Sequence, residues 1–396
     1  MKALYILDPG IVGGATRAFK EFVVQLKKYD ITPIVLTSTN STLNEELNKL
    51  GIENHSIGHR TVLVQIWSKS WKRKIKYIVE YLKYRYCRFR AIKNVSKMVD
   101  LCSIDIIHTN SARNDIGCYI SKRYNIPHIC HIREFGDIDF NCISLDSNYI
   151  NYYNKYTKVF IAISQAVKKH WEGKGIDTSK IRVVYDGVNP HDITRTSKEN
   201  MFDEKIRIVI AGGVFPTKGQ DIAVEAIGML PIHIRNMVSL DIIGWYGESY
   251  IKKINFLIEK YNLFNNINIL GPRNDVRSLY KNYQIGLMCS QNEGFGLVTA
   301  EYMHAGLGVI ASNSGACPEL IQDGVSGLLF EKGNAKILAE KIAVLFNDRH
   351  YLVSLAKNAQ ERANSFFTTD INSKKIIDIY KQINYGENFN NSYTDI

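Results

Sequence analysis

Several features that mark other classes of protein are missing from this chain. Among its 396 residues no window offers about 18 uninterrupted apolar residues, so we expect no membrane-spanning helix. The apolar start, residues 1–7, is too short for a signal peptide and runs directly into Asp8-Pro9-Gly10, which predicts a first buried strand. Low-complexity tracts and repeats of solenoid period are missing too. We therefore expect a globular cytoplasmic protein.

Cysteine is also scarce, with seven residues at positions 87, 102, 118, 130, 142, 289 and 317. Their odd number and scattered spacing predict reduced thiols and argue against a disulfide framework or a zinc site. No Asp-X-Asp pattern stands out at the end of a predicted strand. We therefore predict no cofactor, no metal ligands and activity that does not depend on a metal ion.

Acidic residues are almost missing between Trp67 and Lys97, where eleven Lys and Arg stand against one acid, Glu80. Eleven minus one gives +10, nearly all of the formal net charge of +11. Because aromatic residues are interleaved, the segment has the composition of an interfacial helix that faces anionic lipid at the inner face of the plasma membrane. A solvated helix whose aromatics pack on the domain is the equally weighted alternative. A nucleic-acid partner is not predicted, because no recognised nucleic-acid module accompanies the basic segment.

The length of the chain favours two domains, since a single core rarely grows to this size. Strand-like and helix-like segments alternate along it, which predicts an α/β fold with two Rossmann-like parallel sheets. A polar segment without apolar periodicity separates the two series. We predict a first domain over residues 1–190, a linker over 191–205, a second domain over 206–370, and a final helix and tail over 371–396.

The strongest functional pattern runs from Ser290 to Glu301, after one predicted strand and into a helix. Its glycines allow a tight turn and a close approach of the backbone to a ligand. The free amides of the helix start favour a diphosphate. Glu301 is suited to accept hydrogen bonds from a ribose diol, and Glu293 would lie nearer the sugar. The predicted donor-binding residues of this stretch are Gly294, Phe295, Gly296, Leu297, Val298 and Glu301.

Weaker signals come from three other strand ends. Lys218 stands at a helix start after a glycine turn that contains Gly213, where it could meet a phosphate as a point charge. Arg273 follows another predicted strand and could stack on a base or reach a phosphate. Gly13 and Gly14 follow the first strand, and a plain strand-to-helix turn would explain them equally well.

The run from Asn292 to Phe330 resembles the carboxyl-terminal signature of glycosyltransferase family 4, whose members are retaining enzymes of GT-B architecture. The family's two glutamates separated by seven residues match Glu293 and Glu301. The resemblance implies two Rossmann-like domains that face each other across a cleft, with the C-terminal helix returning to the N-terminal domain. It also implies a nucleotide-diphosphate sugar as donor and a hydroxyl of a glycan or lipid-linked glycan as acceptor, in cell-surface polysaccharide biosynthesis.

Within the resemblance, Glu293 is the catalytic candidate that orients the sugar or stabilises charge at its anomeric carbon. Gly13 and Gly14 would approach the donor phosphates from the N-terminal domain. The sequence departs from the family at two places. Gly213 stands where an arginine is common, and the acceptor-side histidine is matched either by His131, two residues early, or by Arg133 at the expected spacing. His131 and Arg133 are therefore both catalytic candidates.

Two other functions fit the same fold, because architecture alone does not determine chemistry. A sugar-nucleotide epimerase would convert the donor with no acceptor present. A non-catalytic partner subunit would be expected to lose Glu293, Lys218 or Glu301, and all three are present.

Overall fold

The computed structural model describes residues 1–8, 13–65 and 71–386, without the side chains of residues 71–73. The chain divides into two units, Met1–Asp186 with Thr369–Ile396, and Gly187–Thr368. We call them unit 1 and unit 2. The predicted tail beyond residue 386, like residues 67–70 of the basic segment, lies outside the described residues.

Unit 1 is built on a parallel sheet that forms because short apolar segments follow one another with helices between them. In the described residues the sheet has seven strands in the order β3-β2-β1-β5-β6-β8-β9. The strands of the unit are β1 (Lys2–Ile6), β2 (Thr32–Thr37), β3 (Glu53–Ser56), β4 (Leu63–Gln65), β5 (Ile106–Thr109), β6 (His128–Ile132), β7 (Cys142–Ser144), β8 (Val159–Ala162) and β9 (Ile181–Val183). The helices before residue 187 are α1 (Gly14–Gln25), α2 (Thr42–Lys49), α3 (Trp71–Met98), α4 (Ile116–Tyr124), α5 (Tyr149–Tyr156) and α6 (Gln165–Gly173).

Helices cover both faces of this sheet, which explains why its central strands β5, β6 and β8 are buried along their whole length. Ala3 and Tyr5 of β1 face a core that includes Phe19 and Phe22 of α1. Leu4 and Ile6 face the opposite core, with residues of α3 and α4. A separate antiparallel ribbon, β4 with β7, joins segments about 80 residues apart and was not predicted.

Unit 2 carries a six-stranded parallel sheet of order β12-β11-β10-β13-β14-β15, the strand order of a dinucleotide-binding fold. Its strands are β10 (Ile206–Ala211), β11 (Val238–Ile243), β12 (Ile267–Gly271), β13 (Ile285–Met288), β14 (Gly308–Ser312) and β15 (Leu328–Phe330). Its helices are α7 (Gln220–Met229), α8 (Ile232–Arg235), α9 (Glu248–Lys260), α10 (Val276–Leu279), α11 (Leu297–Ala305), α12 (Cys317–Leu320), α13 (Ala335–Asn347) and α14 (Arg349–Phe366). Residues 191–205, predicted as a linker, belong to this unit, where the amide of Thr196 donates to the carbonyl of Ala305 over 2.9 Å.

The last helix, α15 (Thr369–Tyr385), belongs to unit 1 and packs on α1. Its apolar face, including Ile376 and Tyr380, completes the core on the side of β1 that carries Tyr5. The helix therefore returns to the N-terminal sheet as the family resemblance implies. The cysteines are unpaired, and most of them are buried in the two cores.

Candidate active site

The candidate site lies at the carboxyl edge of the unit 2 sheet. Strands β11 and β12 lie on one side of β10, and β13, β14 and β15 lie on its other side. The strand order therefore reverses between β10 and β13. Ligands of such sheets bind outside the strand ends at this reversal. Two loops meet there, residues 212–219 after β10 and residues 289–296 after β13. The amide of Gln291 donates to the carbonyl of Thr217 over 2.8 Å and joins them.

Lys218 and Glu293 form an ion pair across these two loops. Lys218 Nζ lies 2.7 Å from Glu293 Oε2, and the side chains are 37% and 15% exposed. The ammonium is thus held at the sheet edge, close to the start of α11, by a partner that an incoming anion could replace. The structure brings together two residues that stand 75 positions apart in the sequence.

The backbone at Glu293 is held by a third strand end, after β14. The amide of Ala316 donates to the carbonyl of Glu293 over 2.9 Å. Gly315 adopts a φ of +54°, and a Cβ there would lie 2.2 Å from that same carbonyl oxygen. Only glycine therefore allows the two loops to approach this closely. The sequence pattern contains Gly315, but its role in holding Glu293 needed the structure.

Helix α11 begins immediately after Gly296, whose φ of +95° places it in the left-handed region. The backbone at Gly294, Gly296, Leu297 and Val298 leads into the helix start that we predicted to receive a diphosphate. The ring of Phe295 is instead buried and packs edge-on against Phe367, with centroids 5.8 Å apart. Any ligand contact of Phe295 must therefore come from its backbone.

Glu301 stands in the second turn of α11 and is 1% exposed. Its Oε1 accepts hydrogen bonds from Nε and Nη2 of Arg277 over 3.1 and 3.0 Å. Its Oε2 accepts from the hydroxyl of Tyr280 over 2.8 Å. The carboxylate predicted to bind ribose is therefore already a buried, hydrogen-bonded ion pair, and its contact with a ribose stays a prediction.

Arg277 and Tyr280, the partners of Glu301, are two candidate site residues that the sequence did not indicate. Their spacing of three places both side chains on one face at the end of α10, which could have identified them as a pair. Nothing in the sequence indicated that this face meets Glu301, 21 or more residues further along.

Arg273 follows β12 at the same edge, and Gly213 lies in the loop after β10 that also holds Lys218. Arg273 follows β12, the edge strand, and forms a bidentate pair with Asp275 at 2.8 Å for both bonds, exposed to solvent. Gly213 accepts a hydrogen bond from Gln220 Nε2 over 3.0 Å through its carbonyl oxygen. Neither residue contacts the Lys218–Glu293 pair in the described hydrogen bonds.

In unit 1, the predicted glycines stand at a helix start. Gly13 is the N-cap of α1 and Gly14 is its first residue, and both are exposed. Gly13 has no side chain that could cap this end of α1, and its approach to the donor phosphates stays a prediction.

His131 and Arg133 have different surroundings in unit 1. Arg133 is buried, donates twice to Asp186 over 2.8 and 2.7 Å, and donates to Asn110 over 2.8 Å. His131 Nδ1 lies 3.2 Å from His108 Nε2, and its Nε2 has no partner among the described residues. Burial and the nearby Arg133 charge lower the pKa of His131 well below its usual value, so its ring is neutral. Of the two acceptor-side candidates, His131 keeps a nitrogen for a ligand.

In the part of the chain that the structure describes, no three His, Cys, Asp or Glu side chains gather around one point. Metal independence nevertheless stays a prediction, which requires a test of activity.

Two family models match the chain. A model described as Glycosyltransferase Family 4 matches residues 12–192, and one described as Glycosyl transferases group 1 matches residues 192–382. They meet at residue 192, five residues after the unit boundary at 186/187.

Individual proteins agree with these matches. An uncharacterized glycosyltransferase of Methanocaldococcus jannaschii is 26% identical over 374 residues, 92% of this chain and 95% of the relative. A Campylobacter jejuni N,N'-diacetylbacillosaminyl-diphospho-undecaprenol alpha-1,3-N-acetylgalactosaminyltransferase is 31% identical over 117 residues, 30% of this chain and 31% of the relative. Among solved structures, Anabaena HepE in complex with UDP has a TM-score of 0.79 at 20% identity, covering 96% of this chain and all of HepE. The same protein in complex with UDP-glucose has a TM-score of 0.77. The predicted GT-B fold class is thereby confirmed.

Proposed function

Because this chain belongs to glycosyltransferase family 4, we propose that it moves a sugar from a nucleoside diphosphate to a hydroxyl of a glycan or lipid-linked glycan, with retention of configuration. That the chain is a glycosyltransferase of GT-B type follows from its family and its fold. The observation that carries the proposal is the Lys218–Glu293 ion pair beside the start of α11. It places a cation, a carboxylate and a helix N-terminus at one sheet edge.

The chemistry requires stabilisation of the negative charge that develops on the departing diphosphate. Lys218 supplies a positive charge, and the first amides of α11 supply oriented donors. In the proposed sequence of events the diphosphate replaces Glu293 as the partner of Lys218. Glu293 then accepts hydrogen bonds from the sugar hydroxyls, or faces the positive charge at the anomeric carbon. The acceptor attacks from the face that the nucleotide leaves, and a phosphate oxygen takes its proton.

For the donor we propose a uridine diphosphate sugar, because HepE, which shares the fold, has been solved with UDP and UDP-glucose. Calorimetric titration with UDP, GDP, ADP and TDP checks this choice. We expect UDP to bind at least tenfold more tightly than the others, since a base pocket discriminates through hydrogen bonds left unpaired by the wrong base. Tightest binding of another nucleotide would contradict the uridine assignment while leaving the family unaffected.

We propose that the reaction proceeds without a metal ion, because Lys218 and the α11 amides neutralise the negative charge of the diphosphate. We expect the rate of transfer to be unchanged in excess EDTA. Loss of transfer that returns on addition of Mg²⁺ or Mn²⁺ would contradict metal independence. EDTA can leave a tightly held ion in place. Metal analysis of the EDTA-treated protein, which we expect to find no bound metal, checks for such an ion.

Helix α3 is the feature of the structure that bears on the acceptor. No described helix is long and apolar enough to cross a bilayer. One face of α3 packs on unit 1 through Tyr84, Ala91 and Val95, all fully buried. Another face exposes apolar side chains at helical spacing: Ile75, Ile78, Val79, Leu82, Tyr86 and Phe89, between 42% and 67% exposed. Cations flank this stripe, namely Lys74, Lys76, Lys83, Arg85, Arg90, Lys93 and Lys97, all exposed.

We propose that this exposed face of α3 binds an anionic membrane surface, where a lipid-linked acceptor would be found. An apolar stripe bordered by cations is suited to insertion between acidic headgroups, and the charges add about 1 kcal/mol each near the surface. The Campylobacter relative, whose name specifies an undecaprenol-linked acceptor, supports a lipid-linked substrate.

Liposome flotation checks the membrane proposal. We expect the protein to float with vesicles containing 30% phosphatidylglycerol, and not with pure phosphatidylcholine or above about 0.5 M salt. The variant Leu82→Ser with Phe89→Ser should lose flotation, since both side chains are exposed and contribute little to the fold. The matched control is Phe256→Ser with Phe264→Ser, two equally exposed apolar residues on unit 2. No flotation of the wild-type protein in either lipid would contradict the proposal.

A further inference from the structure

Three polar side chains meet at the carboxyl edge of the unit 1 sheet. Asp8 stands two residues after β1, Ser111 two residues after β5, and Glu134 two residues after β6. These strands are neighbours, and the strand order reverses between β1 and β5. The cluster therefore lies where a sheet of this kind binds its ligand.

The hydrogen bonds of Ser111 reveal how the cluster is protonated. Its Oγ lies 2.8 Å from Asp8 Oδ2 and 2.7 Å from Glu134 Oε1, and it also accepts from the amide of Arg113 over 3.1 Å. A hydroxyl has one proton and two lone pairs. It can donate to only one carboxylate, so the second close contact requires a proton on the other carboxyl group. Asp8 and Glu134 thus share one proton across Ser111.

Two buried polar groups of the cluster, the Asp8 carboxyl and the Asn114 amide, lie close to each other. The Asn114 amide is near enough to lower the pKa of Asp8, but Asp8 Oδ1 and Asn114 Nδ2 make no hydrogen bond of good geometry with any described residue. Asn114 is 0% exposed, and its Oδ1 accepts from the amide of Ile116. A buried polar pair with such poor geometry costs free energy, which a ligand hydroxyl placed between the two groups would recover.

The charges that face Glu134 are Asp8, Asp139 and Arg113. Burial, followed by the Asp8 charge, raises the pKa of Glu134 to about 8. Burial also raises the pKa of Asp8, and the Arg113 charge opposes this increase. Both increases in pKa agree with the geometry, because each favours one protonated carboxyl group over two adjacent negative charges.

We propose that Asp8, Ser111 and Glu134 form a subsite that binds neighbouring hydroxyl groups of the sugar acceptor. The inference rests on the proposed function and adds specificity-determining residues to it. A protonated carboxyl donates a hydrogen bond while its ionised neighbour accepts one, so the pair matches a vicinal diol, whose hydroxyls both donate and accept. Asn114 supplies one further donor. No covalent step is involved, and the shared proton stays in the subsite.

The test uses calorimetry on the full chain with UDP present, with octyl β-D-glucopyranoside, octyl β-D-galactopyranoside and octyl N-acetyl-β-D-glucosaminide as probes below their micelle concentrations. We expect at least one glycoside to bind wild-type protein at pH 6.5. Glu134→Ala should weaken it at least tenfold, as loss of a charge-assisted hydrogen bond does. Asp8→Ala provides a second variant should Glu134→Ala fold poorly, and thermal unfolding checks both.

The pH dependence separates ligand binding from a purely structural role. Because the shared proton is present below about pH 8 and lost above it, wild-type affinity should fall between pH 6.5 and pH 9.5. Glu134→Gln, which carries a permanent donor and acceptor, should keep its affinity over this range. The control Glu172→Gln, on a half-buried glutamate of α6 in the same unit, should behave as wild type.

The inference is overturned if no glycoside binds wild-type protein, or if Glu134→Ala and Asp8→Ala bind as wild type does. UDP affinity distinguishes this failure from that of the proposed function. If UDP binds normally and the variants bind the glycoside as wild type does, only the subsite is rejected. If wild-type protein binds no nucleotide at all, the donor assignment is rejected.

Discussion

Lys218→Ala is expected to lower kcat/KM for sugar transfer by about 10²- to 10³-fold, the loss typical when one group that stabilises developing negative charge is removed. Lys218 is the one cation that the described structure joins directly to Glu293 at the start of α11. The family resemblance places an arginine where this chain has Gly213, so we expect diphosphate binding to depend more heavily on Lys218. Transfer kinetics with saturating and limiting donor provide the measurement.

The companion variant Glu293→Gln should lower kcat more than it raises KM for the donor. The amide preserves the size of the side chain but removes its charge, which matters most when positive charge develops at the anomeric carbon. The matched control is Lys253→Ala, which removes an exposed lysine paired with Asp221 in the same unit. Near-normal turnover of Glu293→Gln would reject its proposed role, and equal losses in Lys218→Ala and Lys253→Ala would reject a specific role for Lys218.

The second large effect is expected at Arg277. Arg277→Met should lower the free energy of opening of α11 by about 3–5 kcal/mol, because it leaves the Glu301 carboxylate charged, buried and without its partner. Glu301 is 1% exposed, so solvent cannot replace the guanidinium. Hydrogen exchange of peptides that cover α11, measured across a urea series, reports this local free energy.

A double variant separates stability from ribose binding. Arg277→Met with Glu301→Leu removes both charges, and we expect most of the lost stability to return, as it does when buried ion pairs are replaced by apolar residues. If Glu301 also binds ribose, nucleotide affinity should remain at least tenfold weaker in this stable variant. Recovery of both stability and affinity would show that Glu301 has a structural role alone. Arg207→Met, on an exposed pair with Asp203 in the same unit, is the control for loss of an arginine.

The sequence predicted the fold well because its signals are local. Most strands of the two sheets are short, largely apolar runs between helices, as burial of both sheet faces requires; the edge strand β3 is polar. The stretch from Ser290 to Glu301 was also identified correctly as a strand–loop–helix element. Its glycines and its two glutamates lie within twelve consecutive residues, so the family resemblance could be recognised there and was confirmed.

Features that depend on contacts between distant segments were not predicted. The β4–β7 ribbon consists of three-residue strands that are stable only as a pair, and their alternation is too short to recognise. The basic segment could be assigned to a helix, but its rotation on the sheet determines which side chains are exposed. Tyr84 is buried, whereas Leu82 and Tyr86 on either side of it are about 60% exposed.

The sequence by itself determined the family, the alternation of strands and helices, and the loop–helix element from Ser290 to Glu301, because each depends on residues close together in the chain. Only the tertiary structure decided what the candidate groups contact. It paired Lys218 with Glu293, placed Glu301 in a buried pair with Arg277, and joined Asp8 and Glu134 through Ser111. These partners lie on different strands and helices of one unit, and parallel strand ends bring them to a common edge at separations that no local pattern encodes.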